Sequence, residues 1–402
     1  MVQDLPLIIS VDDHVVEPPT LWSDRLPKKF LDRGPRVVRD TAEFHFEGGV
    51  FSYEKGVEGG EMCDWWIYDD LVYPFPKLSA ALGFDDLDVT PVTFDEIRPG
   101  CWIQKDRLED MTANHVEASI CFPNTLPRFC GQAFLEREDK ELALLCVQAY
   151  NDWMIEEWCG GDGRGRLIPL GMVPLWDPHL AAAEVRRNAT RGCFAVTFTE
   201  NPFPLGLPSV HDKGRHWDPF FQACEETGTV VCMHIGSGTV TPKASPESPD
   251  AVAATILFNN SVVSLVDWLY SGVLHRHPNL QLMYAEAQIG WIPYALERAD
   301  DVWTTHRGWS KSQLHCPEPP STYYHRQVTS CFFKDDVGIS LLDRIGVDNV
   351  VFESDYPHQD STWPFTREAA AQQFGSLDQA SIDKIARGNA IRLLGLDPNI
   401  GL

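Results

Sequence analysis

Residues 7–14 read LIISVDDH, an apolar run followed by two carboxylates and an imidazole. The apolar run predicts a buried β-strand, here Leu7 to Val11. The next three side chains, Asp12, Asp13 and His14, are of types that bind metal ions. Polar groups directly after a buried strand are typical of the functional edge of a parallel sheet. The stretch therefore predicts an α/β fold with a site at its strand ends.

The same pattern recurs along the chain. Seven further apolar runs predict strands, and amphipathic segments between them predict helices. Strands that alternate with helices predict a parallel sheet, and eight strands favour a closed (β/α)8 TIM-like barrel. An open dinucleotide-binding sheet is disfavoured because no GxGxxG motif follows the first strand. The further predicted strands are Val116 to Phe122, Leu167 to Val173, Cys193 to Phe198, Thr229 to His234, Leu280 to Ala285, Gln327 to Phe332 and Asn349 to Phe352; the predicted helices are Ala181 to Arg191, Asp218 to Thr227, Ala251 to Ser271, Trp291 to Trp303, Asp335 to Ile345 and a closing one over Ser376 to Leu394.

A long segment separates the first two predicted strands. We expect a single domain over residues 1–402, with residues 20–105 inserted after strand 1 as a lid or an interface. Within the insertion, Ala42 to Tyr53 alternates apolar and polar residues around Gly48 and Gly49, which predicts a β-hairpin. An aromatic stretch follows, and it suits a lid, a subunit contact or a small core of its own: Trp65, Trp66, Tyr68, Tyr73 and Phe75.

Composition limits the partners. The formal net charge is -25, so nucleic acid and anionic membranes are unfavourable partners because both are polyanions. Eleven cysteines occur without a CxxC pair, and the first residues do not resemble a signal peptide. We therefore expect a cytoplasmic protein with free thiols, no membrane association and a small-molecule substrate.

Candidate metal ligands cluster at three predicted strand ends. Asp12 and His14 follow strand 1 at a spacing that points both to the same side. His234 ends strand 5, and Asp355 follows strand 8. Each residue alone has a structural explanation, such as a helix cap or a core histidine. Their shared position at strand ends favours one metal site.

Three further residues are candidates at the same edge: Glu17, Glu286 and His358. Nucleophile motifs do not compete with them, since the sequence has neither a GxSxG elbow nor a P-loop. Cys232 lies in a buried run, where a thiol is usually inert. Metal-dependent chemistry is therefore the main hypothesis.

These motifs resemble the amidohydrolase superfamily, in particular its amidohydrolase-2 branch, which includes aminocarboxymuconate semialdehyde decarboxylase and γ-resorcylate decarboxylase. The resemblance implies a divalent metal in a (β/α)8 barrel, with the family's strand-one HxH matched by Asp12 and His14, its strand-five histidine by His234 and its strand-eight aspartate by Asp355. It is carried by VDDHVVEPP (11–19), HIGSG (234–238), AEAQIGWIPYALERAD (285–300), ESDYPH (353–358) and GNAIRLLGL (388–396).

The chain departs from the family pattern at three points. Asp12 replaces the first histidine of HxH, and Glu286 replaces the strand-six histidine of the decarboxylases. The predicted fourth strand lacks the lysine that two-metal relatives carbamylate, so we expect one ion, with two as the alternative. Carboxylates in place of imidazoles favour Mn²⁺ or Fe²⁺ over Zn²⁺, although zinc stays open.

The resemblance and the ligand set imply a decarboxylase or hydrolase acting on a small carboxylated or aromatic molecule, with Asp355, Glu286 and His358 as catalytic groups. A non-heme dinuclear iron or iron/manganese monooxygenase is an alternative, because Glu17, Glu286 and His358 would bring the ligands to four carboxylates and three histidines. A further alternative is a supporting subunit of a hetero-oligomeric enzyme. The insertion suits a homodimer or a hetero-oligomer with a paralogue.

Overall fold

The computed structural model describes residues 4–47, 50–86 and 88–400. Over these ranges the chain forms two parallel sheets, one antiparallel sheet and a surrounding layer of helices. The strands are β1 (Ile8–Val15), β2 (Arg36–Glu47), β3 (Val50–Lys55), β4 (Glu61–Tyr68), β5 (Leu71–Pro74), β6 (Val116–Pro123), β7 (Leu167–Ile168), β8 (Ala195–Thr199), β9 (Val230–His234), β10 (Leu282–Ala285), β11 (Val328–Phe332) and β12 (Val350–Phe352).

The helices follow the strands of the parallel sheets, as the alternation predicted. Asp177 begins one of them, because its carboxylate accepts the N–H groups of His179 and Leu180 as an N-cap. The helices are α1 (Gln104–Ala113), α2 (Gln132–Leu135), α3 (Lys140–Trp153), α4 (Pro178–Ala189), α5 (Asp218–Thr227), α6 (Asp250–Ile256), α7 (Asn259–Tyr270), α8 (Val273–Arg276), α9 (Ile292–Thr305), α10 (Arg307–Ser310), α11 (Pro320–Gln327), α12 (Asp336–Ser340), α13 (Leu342–Ile345), α14 (Thr366–Gln373), α15 (Gln379–Asp383) and α16 (Asn389–Leu394).

The parallel sheets have the orders β1-β6-β7 and β8-β9-β10-β11-β12. Two sets of contacts join them. Beyond β7, Gly171 forms a parallel bridge with Val196 of β8. At the other side, the Asp355 N–H donates to the Asp12 carbonyl at 2.9 Å, and the His14 N–H donates to the Tyr356 carbonyl at 2.6 Å. Each parallel strand therefore lies beside the next one along the chain, and the end of β12 lies beside β1.

Apolar side chains bury both faces of these strands, which is typical of parallel sheets covered by helices. One cluster takes side chains from all eight parallel strands and from α16, and it includes Val11, Phe122 and Met283. A second cluster lies between strands and helices and includes Phe198, Trp268 and Phe352. Burial of each large apolar side chain contributes roughly 1.5–3 kcal/mol. The packing fixes the strand ends relative to one another.

Several predicted boundaries are wrong. The apolar run suggested that β1 ends at Val11, but the strand continues to Val15 and pairs His14 with Phe122 of β6. It continues because Asp13 finds buried hydroxyl partners and the β1 backbone stays paired with β6. Strand β7 has only two residues, and the predicted helices over 251–271 and 335–345 are each divided in two.

The segment Asp250–Tyr270, which contains α6 and α7, is the one helical segment in the described residues that is long and apolar enough to cross a membrane. About a third of its most apolar window is buried in the protein, and core helices of soluble proteins satisfy the same criterion. The segment is therefore weak evidence for a membrane.

The antiparallel sheet, with strand order β3-β2-β4-β5, lies in the 20–105 segment. Strands β2 and β3 pair over the stretch in which a hairpin was predicted, and its two glycines, 48 and 49, lie outside the described residues. Trp66 packs edge-on against Trp22 with ring centroids 5.3 Å apart, and Tyr68 packs against Phe134 at 5.6 Å. Four of the five aromatic residues are therefore core rather than exposed surface: Trp65, Trp66, Tyr68 and Phe75.

Candidate metal centre

Four side chains from β1, β9 and the end of β12 meet at one point. The Nε2 atoms of His14 and His234 are 3.1 Å apart. Each of these atoms lies 3.6 Å from an oxygen of Asp12, and His14 Nε2 lies 3.4 Å from Asp355 Oδ1. We call Asp12, His14, His234 and Asp355 the donor cluster.

The separations within the donor cluster suit a shared ion. Metal ligands of these types bind at about 2.0–2.2 Å, so two atoms bound to one ion lie less than about 4.4 Å apart. The three separations among Asp12, His14 and His234 satisfy that limit, and so does the one that joins Asp355 to His14. Asp12, His14 and His234 form one group that is close enough to hold an ion, and Asp355 forms another with His14 and His358. The structure therefore brings together the four residues that the sequence selected as a metal site.

The Asp12 carboxylate needs a cation. The residue is fully buried, and neither of its oxygens accepts a hydrogen bond in the part of the chain that the structure describes. A buried carboxylate without a partner is costly. Burial raises its pKa well above the usual value, and the carboxylates of Glu353, Asp355 and Glu286 raise it further. A divalent ion would neutralise this charge, so the residues fit the group that they would hold.

The two imidazoles are suited to bind a metal in the neutral form. His234 Nδ1 lies 2.7 Å from the Ile235 carbonyl, to which it donates its proton, and Nε2 is left with a free lone pair. Burial lowers the pKa of His234 to about 4. Burial also lowers the pKa of His14, and His358 contributes to the shift. Both rings are therefore unprotonated at neutral pH.

Asp13 points away from the donor cluster into a set of hydrogen-bond donors. Its Oδ1 accepts from the hydroxyls of Ser10 at 2.9 Å and Ser354 at 2.6 Å, and from the Tyr356 N–H at 3.1 Å. Its Oδ2 accepts from the Ser119 hydroxyl. These contacts tie β1 to β6 and to the segment after β12. We call Asp13 with its three serines the Asp13 support.

Arg107 of α1 holds the backbone of the same strand. Its guanidinium is fully buried, donates to the His14 carbonyl at 2.6 Å and donates to the Gly100 carbonyl at 2.8 Å. It also lies over the Tyr356 ring, 4.0 Å from the centroid. Arg107 therefore positions the backbone of a donor residue from outside the donor cluster.

Asp355 and His358 form a pair at the end of β12. Asp355 lies in the left-handed region of the backbone at φ +53°. His358 Nδ1 lies 3.0 Å from Asp355 Oδ1, and its Nε2 lies 3.2 Å from the Asn124 side-chain oxygen. Burial raises the pKa of Asp355, but His358 and His14 outweigh it and hold that pKa below the usual value. Asp355 is therefore a carboxylate at neutral pH.

Glu286 lies at the rim of the cluster. Its Oε2 is 3.3 Å from His234 Nε2, and its side chain is 22% exposed. Its backbone also lies in the left-handed region, at φ +59°, and its N–H donates to Glu353 at 3.1 Å. Burial raises the pKa of Glu286 well above the usual value, and the charges of Asp355 and Glu353 raise it further. Glu286 therefore tends to hold a proton.

Glu353 lies behind Asp12 and Glu286. It is fully buried, accepts the Cys331 thiol proton on Oε2, and its Oε1 has no hydrogen-bond partner among the described residues. Burial raises its pKa to about 8. It belongs with Asp12 and Cys331 to one of the three groups of side chains in the described residues that are close enough to hold an ion.

The structure places Glu17 in a different role from the predicted one. Its oxygens accept the N–H groups of Asn124 at 2.8 Å and Thr125 at 2.9 Å, and also the Thr125 hydroxyl. Glu17 belongs to none of the metal-compatible groups found in the described residues. Glu17 as a metal ligand stays a prediction that these contacts disfavour, because they engage its lone pairs with the loop after β6.

The family model Amidohydro_2, which describes amidohydrolases, matches residues 66–396. The chain belongs to the amidohydrolase family. A 2-amino-3-carboxymuconate-6-semialdehyde decarboxylase of Dictyostelium discoideum is 24% identical over 327 residues, which cover 76% of this amidohydrolase and 80% of that protein. A γ-resorcylate decarboxylase of Rhodococcus jostii (strain RHA1) is 28% identical over 317 residues, which cover 73% of this amidohydrolase and 88% of that protein.

A crystal structure shares the fold of this amidohydrolase. It is a dihydroxybenzoic acid decarboxylase from Polaromonas sp. JS666 with bound manganese and the inhibitor 2-nitroresorcinol. The TM-score is 0.63 at 17% identity, and the match covers 99% of both chains. The family resemblance read from the motifs is confirmed.

Sequence reasoning missed the residues that hold the site in place: Ser10, Arg107, Ser119, Asn124 and Ser354. Ser10 and Ser119 interrupt apolar strands, which is a usable signal because a buried hydroxyl requires a partner. Arg107 carries no such signal, since a helix arginine is ordinarily a surface residue.

Proposed function

We propose that this amidohydrolase is a metal-dependent carboxy-lyase that removes carbon dioxide from a small aromatic carboxylic acid. The observation that carries the proposal is the donor cluster, in which a buried, unpaired Asp12 faces two neutral imidazoles. The two curated relatives described above are named as decarboxylases, and the crystal structure with the same fold contains bound manganese. A single divalent ion, Mn²⁺, Fe²⁺ or Zn²⁺, would be held by the four donors.

We also infer that the eight parallel strands close into a (β/α)8 barrel. The strands are neighbours in chain order, and the segment after β12 bonds to β1 through Asp355 and Tyr356. Closure places the ends of all eight strands around one mouth. That arrangement supports assignment of the donor cluster and Glu286 to one active site.

The bound ion would supply a Lewis acid that orients the substrate carboxylate or a neighbouring hydroxyl. Glu286 holds a proton on Oε2 and transfers it to the ring carbon that bears the carboxylate. The bond from that carbon to the carboxylate then breaks, and its electron pair stays with the ring as carbon dioxide leaves. Solvent reprotonates Glu286, which is partly exposed.

Asp355 and His358 have the second role in this scheme. Asp355 stays ionised and would hold the ion, while His358, whose Nδ1 lies 3.0 Å from Asp355 Oδ1, positions that carboxylate. The proton transfer therefore belongs to Glu286 rather than Asp355, because the surroundings move their pKa values in opposite directions.

The test uses chain loaded with manganese and a panel of hydroxylated benzoic acids in deuterium oxide. We expect carbon dioxide release and one deuterium at the ring carbon that lost the carboxylate. Glu286→Gln lowers turnover by about 10²–10⁴-fold, since it removes a general acid, while one ion per chain remains bound. Glu297→Gln, a surface glutamate paired with Arg344, is the matched control.

Three outcomes contradict the proposal. Hydrolysis of an amide or ester panel without carbon dioxide release favours a hydrolase. Oxygen consumption with two irons per chain favours the monooxygenase alternative. The contacts of Glu17 with Asn124 and Thr125 disfavour that alternative, because it needs the Glu17 carboxylate as a ligand. An inactive chain that gains turnover only with a paralogue supports the supporting-subunit alternative.

A further inference from the structure

The phenyl ring of Phe129 lies flat against the His234 imidazole. The ring centroids are 4.0 Å apart and the planes differ by 19°. The same phenyl ring meets His14 edge-on at 5.6 Å and His358 at 6.5 Å. His14 and His234 are at most 1% exposed, whereas Phe129 is partly exposed. The ring therefore covers one face of the His234 imidazole and is itself partly exposed.

The backbone that carries Phe129 is anchored. The Thr197 hydroxyl of β8 donates to the Phe129 carbonyl at 2.6 Å. The next N–H, of Cys130, donates to the Gln132 side-chain oxygen at 2.9 Å, and the Gln132 amide donates to the Ser237 carbonyl at 3.0 Å. The loop is thus tied to β8 and to the segment after β9.

The position beside the ring carries no side chain. Gly236 has φ +80°, and a Cβ built on it would lie 3.8 Å from Cε2 of Phe129. A larger residue would be strained at that φ and would also occupy the space next to the ring. The glycine therefore leaves the edge of the ring free on the side of the segment after β9.

We propose that Phe129 is the gate of the donor cluster and the residue that fixes the shape of its substrate slot. When the ring rotates off His234, it opens a slot with the thickness of one aromatic ring, and a planar aromatic acid enters beside the phenyl ring. The gating part rests on contacts alone; the choice of an aromatic acid rests on the proposed function.

The gate is tested in metal-free protein with diethylpyrocarbonate, which modifies accessible imidazole nitrogens and is followed residue by residue by mass spectrometry. We expect Phe129→Ala to raise the modification rate of His234 about tenfold, because removal of the ring abolishes the local opening step. His45, which is 47% exposed, is the internal reference. Phe203→Ala removes a 70% exposed ring that stacks on no imidazole among the described residues, and it is the matched control.

Equal His234 rates in the wild type, Phe129→Ala and Phe203→Ala overturn the gate. If Phe129→Ala does not fold, as judged by circular dichroism, Phe129→Leu replaces it, because leucine fills volume without covering the imidazole face. The measurement needs neither metal nor substrate, so it is independent of the proposed activity.

The substrate slot is tested in manganese-loaded enzyme. We expect Phe129→Leu to raise KM for a planar aromatic acid about three- to tenfold, the factor expected for loss of one ring stack, with bound metal unchanged. An unchanged KM overturns the slot. A wild type without turnover whose His234 is still shielded by Phe129 contradicts the proposed function alone, and turnover with an unshielded His234 contradicts the gate alone.

Discussion

The two carboxylates at positions 12 and 13 are neighbours in sequence and equally buried, yet their surroundings are opposite. Asp13 accepts four hydrogen bonds from side chains and backbone, and Asp12 accepts none among the described residues. Successive residues of a strand point to opposite sides, so one faces the donor cluster and the other faces the support. The difference shows which carboxylate is complete within the protein and which one requires a ligand.

The same contrast separates the two glutamates that the sequence placed beside the metal. Glu17 is saturated by the loop after β6, whereas Glu286 contacts His234 and remains partly exposed. Burial alone does not distinguish a ligand from a structural acid. The count of satisfied lone pairs does, because a folded chain rarely leaves a buried acceptor without a partner.

The largest effect is expected for Asp12→Asn. Loss of a direct ligand should lower metal affinity by more than about 100-fold, the upper limit for loss of an outer partner. Removal of a buried, unpaired carboxyl group should at the same time raise the Tm of the metal-free protein at a pH high enough to ionise that group. Calorimetry with and without manganese measures both effects. Retention of one tightly bound ion by this variant would show that Asp12 is not a ligand.

A smaller effect on the ion and a larger one on the fold are expected for Asp13→Asn. The amide would point N–H groups at hydroxyl and N–H donors, so the free energy of unfolding should fall by about 1–3 kcal/mol. Metal affinity should fall by about 10–100-fold, since the support orients β1. Urea unfolding and calorimetric titration test the two values. An Asp13→Asn protein with wild-type stability would contradict the assigned role of the support.

Much of the site was predictable because its chemistry is local. Strand-like runs followed by polar residues select Asp12, His14, His234 and Asp355 as candidate donors, since apolar periodicity and residue type are both visible in the sequence. The extent of β1 was not visible. Its continuation to Val15 depends on serines of β6 and of the segment after β12, which are more than a hundred residues away.

The backbone conformation at the site could not be predicted from the sequence either. Asp355 and Glu286 adopt left-handed φ values that residues other than glycine take at a cost of about 1–3 kcal/mol. Their neighbours impose this conformation: the Asp355 N–H bonds to the Asp12 carbonyl, and the Glu286 N–H bonds to Glu353. No propensity predicts such a contact. The contrast between Glu17 and Glu286 was also not predictable, because it depends on contacts of Glu17 with Asn124 and Thr125, which are distant in sequence.

A pH dependence sharpens the comparison further. In the metal-free protein, burial raises the pKa of Glu353 to about 8 and raises those of Asp12 and Glu286. Between pH 7 and 8.5 the folded chain therefore holds more protons than the unfolded chain, and its stability should fall as pH rises. Manganese should reverse the trend, because it binds the deprotonated ligands. Thermal unfolding at several pH values, with and without manganese, measures how Tm changes with pH in each form. A Tm of the metal-free protein that does not change with pH would contradict the raised pKa values of these three acids.

The smallest effect on the ion is expected for Glu17→Gln. Its carboxylate is saturated by Asn124 and Thr125, so the amide should cost about 1–3 kcal/mol of unfolding free energy through a donor placed against donors. Bound metal per chain should stay at the wild-type value, which elemental analysis measures. Comparison with Glu286→Gln separates the two glutamates: the first loses stability and keeps its ion and its acid, and the second keeps its ion and loses turnover. A Glu17→Gln protein that loses metal while remaining folded would restore Glu17 to the ligand set and, with it, the two-ion alternative.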